Sequence, residues 1–329
     1  MKVFSTTGNL LLLTAALLLA GCDSGSDNDS GPEEGGSTPS RGSLVDNPPP
    51  RVDSVSVAEL AASLGATIEG QAILEITGQP ECRVDVHHLQ YHTVGPGDEP
   101  TIASAALMVP AGVESDCRGE RPMLLYAHGT TSESDFSMTD IRNEDRLEAI
   151  LMAAVFAAQG YIVVAPNYVG YDVNTSYHPY LNADQSAKDM IDALTAARSA
   201  VPTTFAPTTR ESAQLFVTGY SQGGHVAMAT HRAMQAAGIT VTASAPMSGP
   251  YALSAFGDAV FSGRVNAGAP LLLTMLITGY QQAYGDIYST PTEVFEARYA
   301  SGIESLLPST QRRSALYEQG LLPRDQLFS

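Results

Sequence analysis

Gly219-Tyr220-Ser221-Gln222-Gly223 sets one serine between glycines, at the spacing of a sharp turn from strand to helix. The apolar run Leu215-Phe216-Val217-Thr218 precedes it, and the helical stretch His225-Val226-Ala227-Met228-Ala229 follows. Such a turn strains the backbone of the serine and lifts its hydroxyl above the sheet. Gly219 and Gly223 suit the turn because a side chain at either position would collide with the neighbouring strand or helix. The chemistry this arrangement serves is nucleophilic attack on a carbonyl carbon. A serine hydroxyl attacks poorly until a base accepts its proton. The carbonyl oxygen gains negative charge during the attack and needs preorganised N–H donors. Gln222, directly after the serine, is placed to supply one of them.

The elements that must position this serine are legible in the apolar patterning. A short helix is expected at Ser56 to Leu64. Arg83 to Thr93 and Ile102 to Val109 read as strands joined by the turn residues Gly95-Pro96-Gly97-Asp98. Met123 to Ala127, Tyr161 to Ala165, Leu215 to Thr218 and Val241 to Ala245 are short apolar runs that fit buried strands. Between them lie helical stretches at Glu144 to Gln159, Asp184 to Ser199 and Gln222 to Ala236. Alternating strands and helices from residue 120 onward predict an α/β fold, a mostly parallel sheet with helices on both faces. From about residue 250 only helices are expected, at Ala267 to Tyr284, Pro291 to Ser301 and Ser309 to Gly320. They would form a helical lid or acyl-binding wall over the site, within about 252–320. The apolar stretch Ala269 to Ile277 is too short to span a bilayer.

In order and spacing, His128-Gly129-Thr130 and Gly219-Tyr220-Ser221-Gln222-Gly223-Gly224 resemble the α/β-hydrolase pattern. Ala165-Pro166-Asn167-Tyr168-Val169-Gly170, with His178-Pro179-Tyr180-Leu181 after it, is similar to the secretory lipase and esterase branch. The resemblance spans roughly residues 80 to 325. It implies hydrolysis of carboxylic esters through an acyl-enzyme on Ser221, with an ester or lipid as substrate. It also implies Thr130 as the second N–H of the oxyanion hole beside Gln222. His128 is then expected to order its loop. His178 is placed to line the pocket or hold the loop, and His225 and His231 to pack on the helix. In this family an acid and a histidine follow the serine along the chain. Here no histidine follows His231, and Asp258, Asp286 and Asp325 follow no buried strand. The expectation is therefore a domain whose last two strands are missing. The same residues leave open a serine peptidase on this fold, or a non-catalytic lipoprotein that kept the fold alone.

The N-terminus reads as a targeting segment. Lys2 precedes the apolar run Leu10 to Ala20, and Leu19-Ala20-Gly21-Cys22 resembles a bacterial lipobox with Cys22 as the lipidated residue. Residues 1–22 are expected to be a signal peptide, 23–50 a disordered tether rich in Ser, Gly, Asp and Pro, and 51–329 the hydrolase domain. The protein is expected to be exported and anchored to a membrane by lipid, at the periplasmic or cell-surface face. Export favours pairing of the two remaining cysteines, Cys82 and Cys117, which flank the predicted hairpin at points that come together when its strands pair. Seventeen basic against 35 acidic residues give a formal charge of −18, which disfavours nucleic acid as a partner. No spacing of histidines and carboxylates suggests a metal, and no cofactor is expected.

Overall fold

The computed structural model describes residues 39–143, 146–205, 208–264 and 268–323. The expected signal segment, Cys22 and the tether up to residue 38 lie outside the described residues. Seven strands form one sheet: β1 (Arg51–Val55), β2 (Arg83–Val94), β3 (Pro100–Ala111), β4 (Gly119–Ala127), β5 (Ile162–Pro166), β6 (Thr209–Tyr220) and β7 (Ala243–Met247). Their spatial order is β1-β2-β3-β5-β4-β6-β7. Strands β2, β5, β4, β6 and β7 run one way and β1 and β3 the other. The helices are α1 (Val57–Gly65), α2 (Ile68–Thr77), α3 (Leu147–Val155), α4 (Ala183–Thr204), α5 (Gln222–Ala236), α6 (Leu253–Phe261), α7 (Ala269–Tyr284), α8 (Ala297–Ala300) and α9 (Arg313–Glu318). None among the described residues is long and apolar enough to cross a membrane.

The winding of the sheet places the site. The chain leaves β4, crosses to β5 on one side through α3, then returns over β4 to β6 through α4. Right-handed crossovers taken in opposite directions put α3 on one face and α4 with α5 on the other. Ligands reach such sheets at the carboxyl ends of the strands where the winding reverses. Ala127, the last residue of β4, pairs in register with Gly219 near the end of β6. The loop beginning at His128 therefore emerges beside the Ser221 turn.

The early hairpin follows its sequence pattern. Tyr91, Val86 and Leu89 of β2 are buried against β3, and Arg83 pairs with Ala111 across the full ladder. That pairing brings Cys82 and Cys117 together as a buried disulfide with a Cα–Cα distance of 5.4 Å. The helix expected from Ser56 begins at Val57, and Ser56 caps it through a reciprocal bond with Glu59.

The folded body begins earlier than expected. Residues 39–50, read as the end of the tether, are bound to it. Gly42 and Val45 N–H groups bond to the His92 and Gln90 carbonyls of β2. The Arg41 guanidinium forms paired bonds of 2.9 and 3.1 Å with the buried Asp192 carboxylate. Composition alone hid this, because the bonds depend on a backbone edge and a partner 151 residues away. β1, α2 and α6 were also not expected. The helix expected over Pro291 to Ser301 is instead a single turn at Pro291–Glu293 followed by the short α8. Phe295 lies between them, fully buried in a second apolar cluster, and the chain bends to seat it.

The bridge encloses 35 residues of sequence separation. By chain entropy that constrains the unfolded state by about 3–4 kcal/mol. A Cys82→Ala/Cys117→Ala variant should lose about that much in a denaturant titration, and a loss below about 1 kcal/mol would contradict this account of the bridge.

Candidate active site

Ser221 takes φ 58° and ψ −121° between the end of β6 and the start of α5. A non-glycine residue so placed is strained by about 1–3 kcal/mol and persists only where its surroundings fix it. Here they do. The Ser221 N–H bonds to the Met247 carbonyl at the end of β7, at 3.0 Å. Its own carbonyl accepts from the Gly224 and His225 N–H groups at 3.0 and 3.3 Å. Glycines let the backbones approach. A Cβ on Gly219 would meet the carbonyl oxygens of Gly223 and Ala127, and one on Gly223 would meet that of Ala127. Gly224, the last residue of the motif, is equally confined by the Met247 carbonyl.

The two sequence-predicted N–H donors lie at these adjacent strand ends. Gln222 is the first residue of α5, where backbone N–H groups have no partner within the helix and the helix dipole favours negative charge. In the other loop the Gly129 N–H is already taken, bonding to the Glu148 carboxylate at 3.0 and 3.2 Å. That carboxylate also accepts from the Tyr126 hydroxyl. Thr130 is held by its side chain, whose hydroxyl lies 2.8 Å from the Tyr180 hydroxyl. Among the described residues, neither the Thr130 nor the Gln222 backbone N–H has a hydrogen-bond acceptor.

Five of the seven histidines are hydrogen-bonded to other groups. His128 is buried, stacked on Tyr168 with ring centroids 4.2 Å apart, and its nitrogens face the Gly129 and Asn167 carbonyls. Burial lowers its pKa. His87 faces the Pro49 carbonyl, His88 bonds to Asp172 at 2.7 Å and His231 to Ser244 at 2.7 Å. His225 lies on α5 beneath the turn, with burial depressing its pKa. Among the described residues no side chain hydrogen-bonds to the Ser221 hydroxyl. No group of three His, Cys, Asp or Glu side chains among them could hold a metal ion.

His178 resolves into a position that the sequence left open. Its Nδ1 lies 2.8 Å from the Val169 carbonyl and its Nε2 2.8 Å from the Gln222 side-chain nitrogen. Burial pushes its pKa down to about 3. A carbonyl can only accept, so Nδ1 carries the proton and Nε2 accepts from Gln222. No pattern in the sequence links residues 178 and 222; only the fold brings them together.

A cavity of about 670 Å³ opens beside Thr130, walled by Phe136, Arg146, Glu148, Leu271 and Arg312. It meets the site at the Thr130 loop, and Ser221 is not in its wall. The helices after residue 250 close a second apolar cluster around Leu271, Met275, Phe295, Leu307 and Leu316, which includes Tyr180 and Leu181. They are tied to both site loops. Tyr280 bonds to the Leu181 carbonyl, and Ser309 exchanges backbone bonds with Ser132 and Ser134.

A serine on a strained strand-to-helix turn, at the carboxyl end of a sheet wound in this order, defines a hydrolase architecture of the α/β type. No family model and no curated protein matches the sequence. Among solved structures, the rice cell wall degrading esterase LipA of Xanthomonas oryzae is similar, with a TM-score of 0.76 at 32% identity over 88% of this chain and 74% of the esterase. A Legionella pneumophila protein assigned to the hydrolases gives a TM-score of 0.73 at 24% identity, over 87% of this chain and 73% of its own. Candida antarctica lipase A in its closed state shares the fold, with a TM-score of 0.51 at 12% identity over 82% and 55% of the two chains. The chain belongs to the α/β-hydrolase superfamily, among its lipase- and esterase-like members.

Two outcomes follow from this geometry. Gly223→Ala should destabilise the fold by about 2–3 kcal/mol, because backbone atoms of β4 cannot yield to the added methyl; a melting temperature equal to that of the parent would contradict the packing. By ¹⁵N NMR, His178 should stay the neutral Nδ1–H tautomer from pH 8 to pH 5. Its folded pKa lies below the unfolded value of about 6.5, so the unfolded chain takes the proton first and this site withdraws stability as pH falls from there towards 3. A titration of His178 near pH 6.5 would overturn the assignment.

Proposed function

We propose that the chain hydrolyses carboxylic esters through an acyl-enzyme on Ser221. The observation that carries the reading is the strained Ser221 turn beside two unbonded backbone N–H groups, at the ends of paired strands. Similarity to an enzyme described as an esterase supports it. In this reading the Ser221 Oγ attacks the ester carbonyl carbon, and its proton passes to a base. The carbonyl oxygen becomes an oxyanion received by the Gln222 and Thr130 N–H groups. Collapse of the tetrahedral intermediate breaks the bond to the alcohol oxygen, which takes up a proton and departs. Water then attacks the acyl carbon by the same route and releases the acid and Ser221.

No histidine among the described residues hydrogen-bonds to the Ser221 hydroxyl, and the reading requires a base. Its contribution is large, because removing the histidine of such a triad costs about 10⁶ in kcat. The oxyanion hole and binding alone retain about 10³–10⁴ over water. The helices after residue 250 act as a lid, and the cavity beside Thr130 accepts part of the ester. The N-terminal Leu19-Ala20-Gly21-Cys22 supports export and lipid anchoring at Cys22. The lack, among the described residues, of a partner for the Ser221 hydroxyl favours one second reading, a tethered binding protein without turnover.

A fluorophosphonate probe separates the two. It should label Ser221 stoichiometrically in the parent and not in Ser221→Ala, and p-nitrophenyl butyrate should be cleaved faster than a peptide anilide. Folded parent protein that resists labelling would leave the binding reading, and a faster anilide would indicate a peptidase.

A further inference from the structure

The link between His178 and Gln222 has no part in the chemical steps above, yet it ends at one of the two oxyanion donors. We infer that His178 is a positioning residue for the reaction: it clamps the Gln222 side chain and so fixes the direction of the Gln222 backbone N–H. The inference rests on the esterase reading and deepens it.

The clamp is a chain of three hydrogen bonds through the interior. The Asp189 carboxylate accepts the Val169 N–H at 3.1 Å. The Val169 carbonyl accepts the His178 Nδ1–H at 2.8 Å. The His178 Nε2 accepts from the Gln222 side-chain amide at 2.8 Å. The two directions at the ring are forced, because a carbonyl donates nothing and a neutral imidazole has one N–H. Gln222 thereby has one allowed orientation. Its Oε1 is buried without a partner, an arrangement that is unfavourable on its own. Flipping the amide would relieve nothing, since it would turn Oε1 toward the lone pair on His178 Nε2.

The ring itself cannot drift. Tyr171 packs against it with centroids 4.6 Å apart. Gly170, at φ +96°, lets the chain pass so close that a Cβ there would sit 2.6 Å from the His178 Cα and N. On the lid side, a Cβ on Gly279 of α7 would lie 3.0 Å from the His178 carbonyl oxygen. Gln222 is one residue from Ser221 and opens α5, so holding its side chain restrains the Cα that carries its backbone N–H. An N–H held in place before attack stabilises the developing charge without reorganising. A displacement of about 1 Å can cost about 100-fold in rate.

The test measures the second-order rate of Ser221 labelling by a fluorophosphonate in the parent, His178→Phe, Gln222→Met and the double variant. Gln222→Met keeps the backbone N–H and nearly the volume, and leaves the His178–Val169 bond intact. Each single change should slow labelling about 10- to 100-fold, and the double variant should be no slower than the worse single one. With p-nitrophenyl butyrate, kcat should fall while KM holds. Circular dichroism melting identifies any variant that fails to fold, and Gln222→Met then carries the test. Labelling of Gln222→Met at the parent rate would overturn the inference, as would effects that multiply or a fall expressed in KM. Failure of the parent to label would remove the esterase reading and this inference with it.

Discussion

The positive φ of Ser221 is the constraint on which the site depends. A serine in that conformation is held only because the ends of β4, β6 and β7 converge around it. The Met247 carbonyl takes its N–H, and its own carbonyl starts α5. The contacts beneath Gly219, Gly223 and Gly224 leave no room for a methyl group. The sheet order places the loop that faces the turn. Ala127 and Gly219 are neighbours, which brings the Thr130 loop to the turn, and the chain visits β5 before it returns to β6. The strain is a local cost met by the packing of a whole sheet.

Around that turn the interior is kept neutral although the chain is strongly acidic. His128 and His178 are buried, and burial disfavours their charged forms. The Asp189 carboxyl, also buried, is pushed up to about 7. The two kinds of group act oppositely on stability. His178 withdraws stability as pH falls below about 6.5. Asp189 binds its proton in the folded chain while the unfolded carboxyl is still ionised, so between about 7 and 4 its share grows as pH falls. Near the site the Glu148 carboxylate accepts from the Gly129 N–H, and Arg146 pairs with Glu133 and Asp135. A substrate oxyanion at Gln222 would face a helix N-terminus.

What could be read from the sequence was local. Strand, turn and helix around Ser221 were visible because apolar run, glycines and helix former follow one another within about twenty residues. The hairpin disclosed the Cys82–Cys117 pair for the same reason, since register places two points that periodicity already identified. Long-range polar bonds carry no such signal. Arg41 with Asp192 and His178 with Gln222 join residues whose separation bears no periodic relation to any element. The late helices illustrate the other limit: α7 was legible from its apolar face, whereas the segment around Phe295 bends to bury one aromatic ring against a cluster assembled from distant residues. The edge strand β1 is too short and too polar for alternation to mark it, and its pairing with β2 makes it a strand.

The central claim is that Ser221 forms a covalent acyl intermediate. It is tested most directly by mixing the protein with a slowly released ester, quenching in acid and mapping the peptides by mass spectrometry. The account predicts one acyl group on the peptide that carries Ser221, appearing before hydrolysis is complete and declining as product forms. An acyl group on another residue, or turnover of the ester with no acylated peptide, would contradict it.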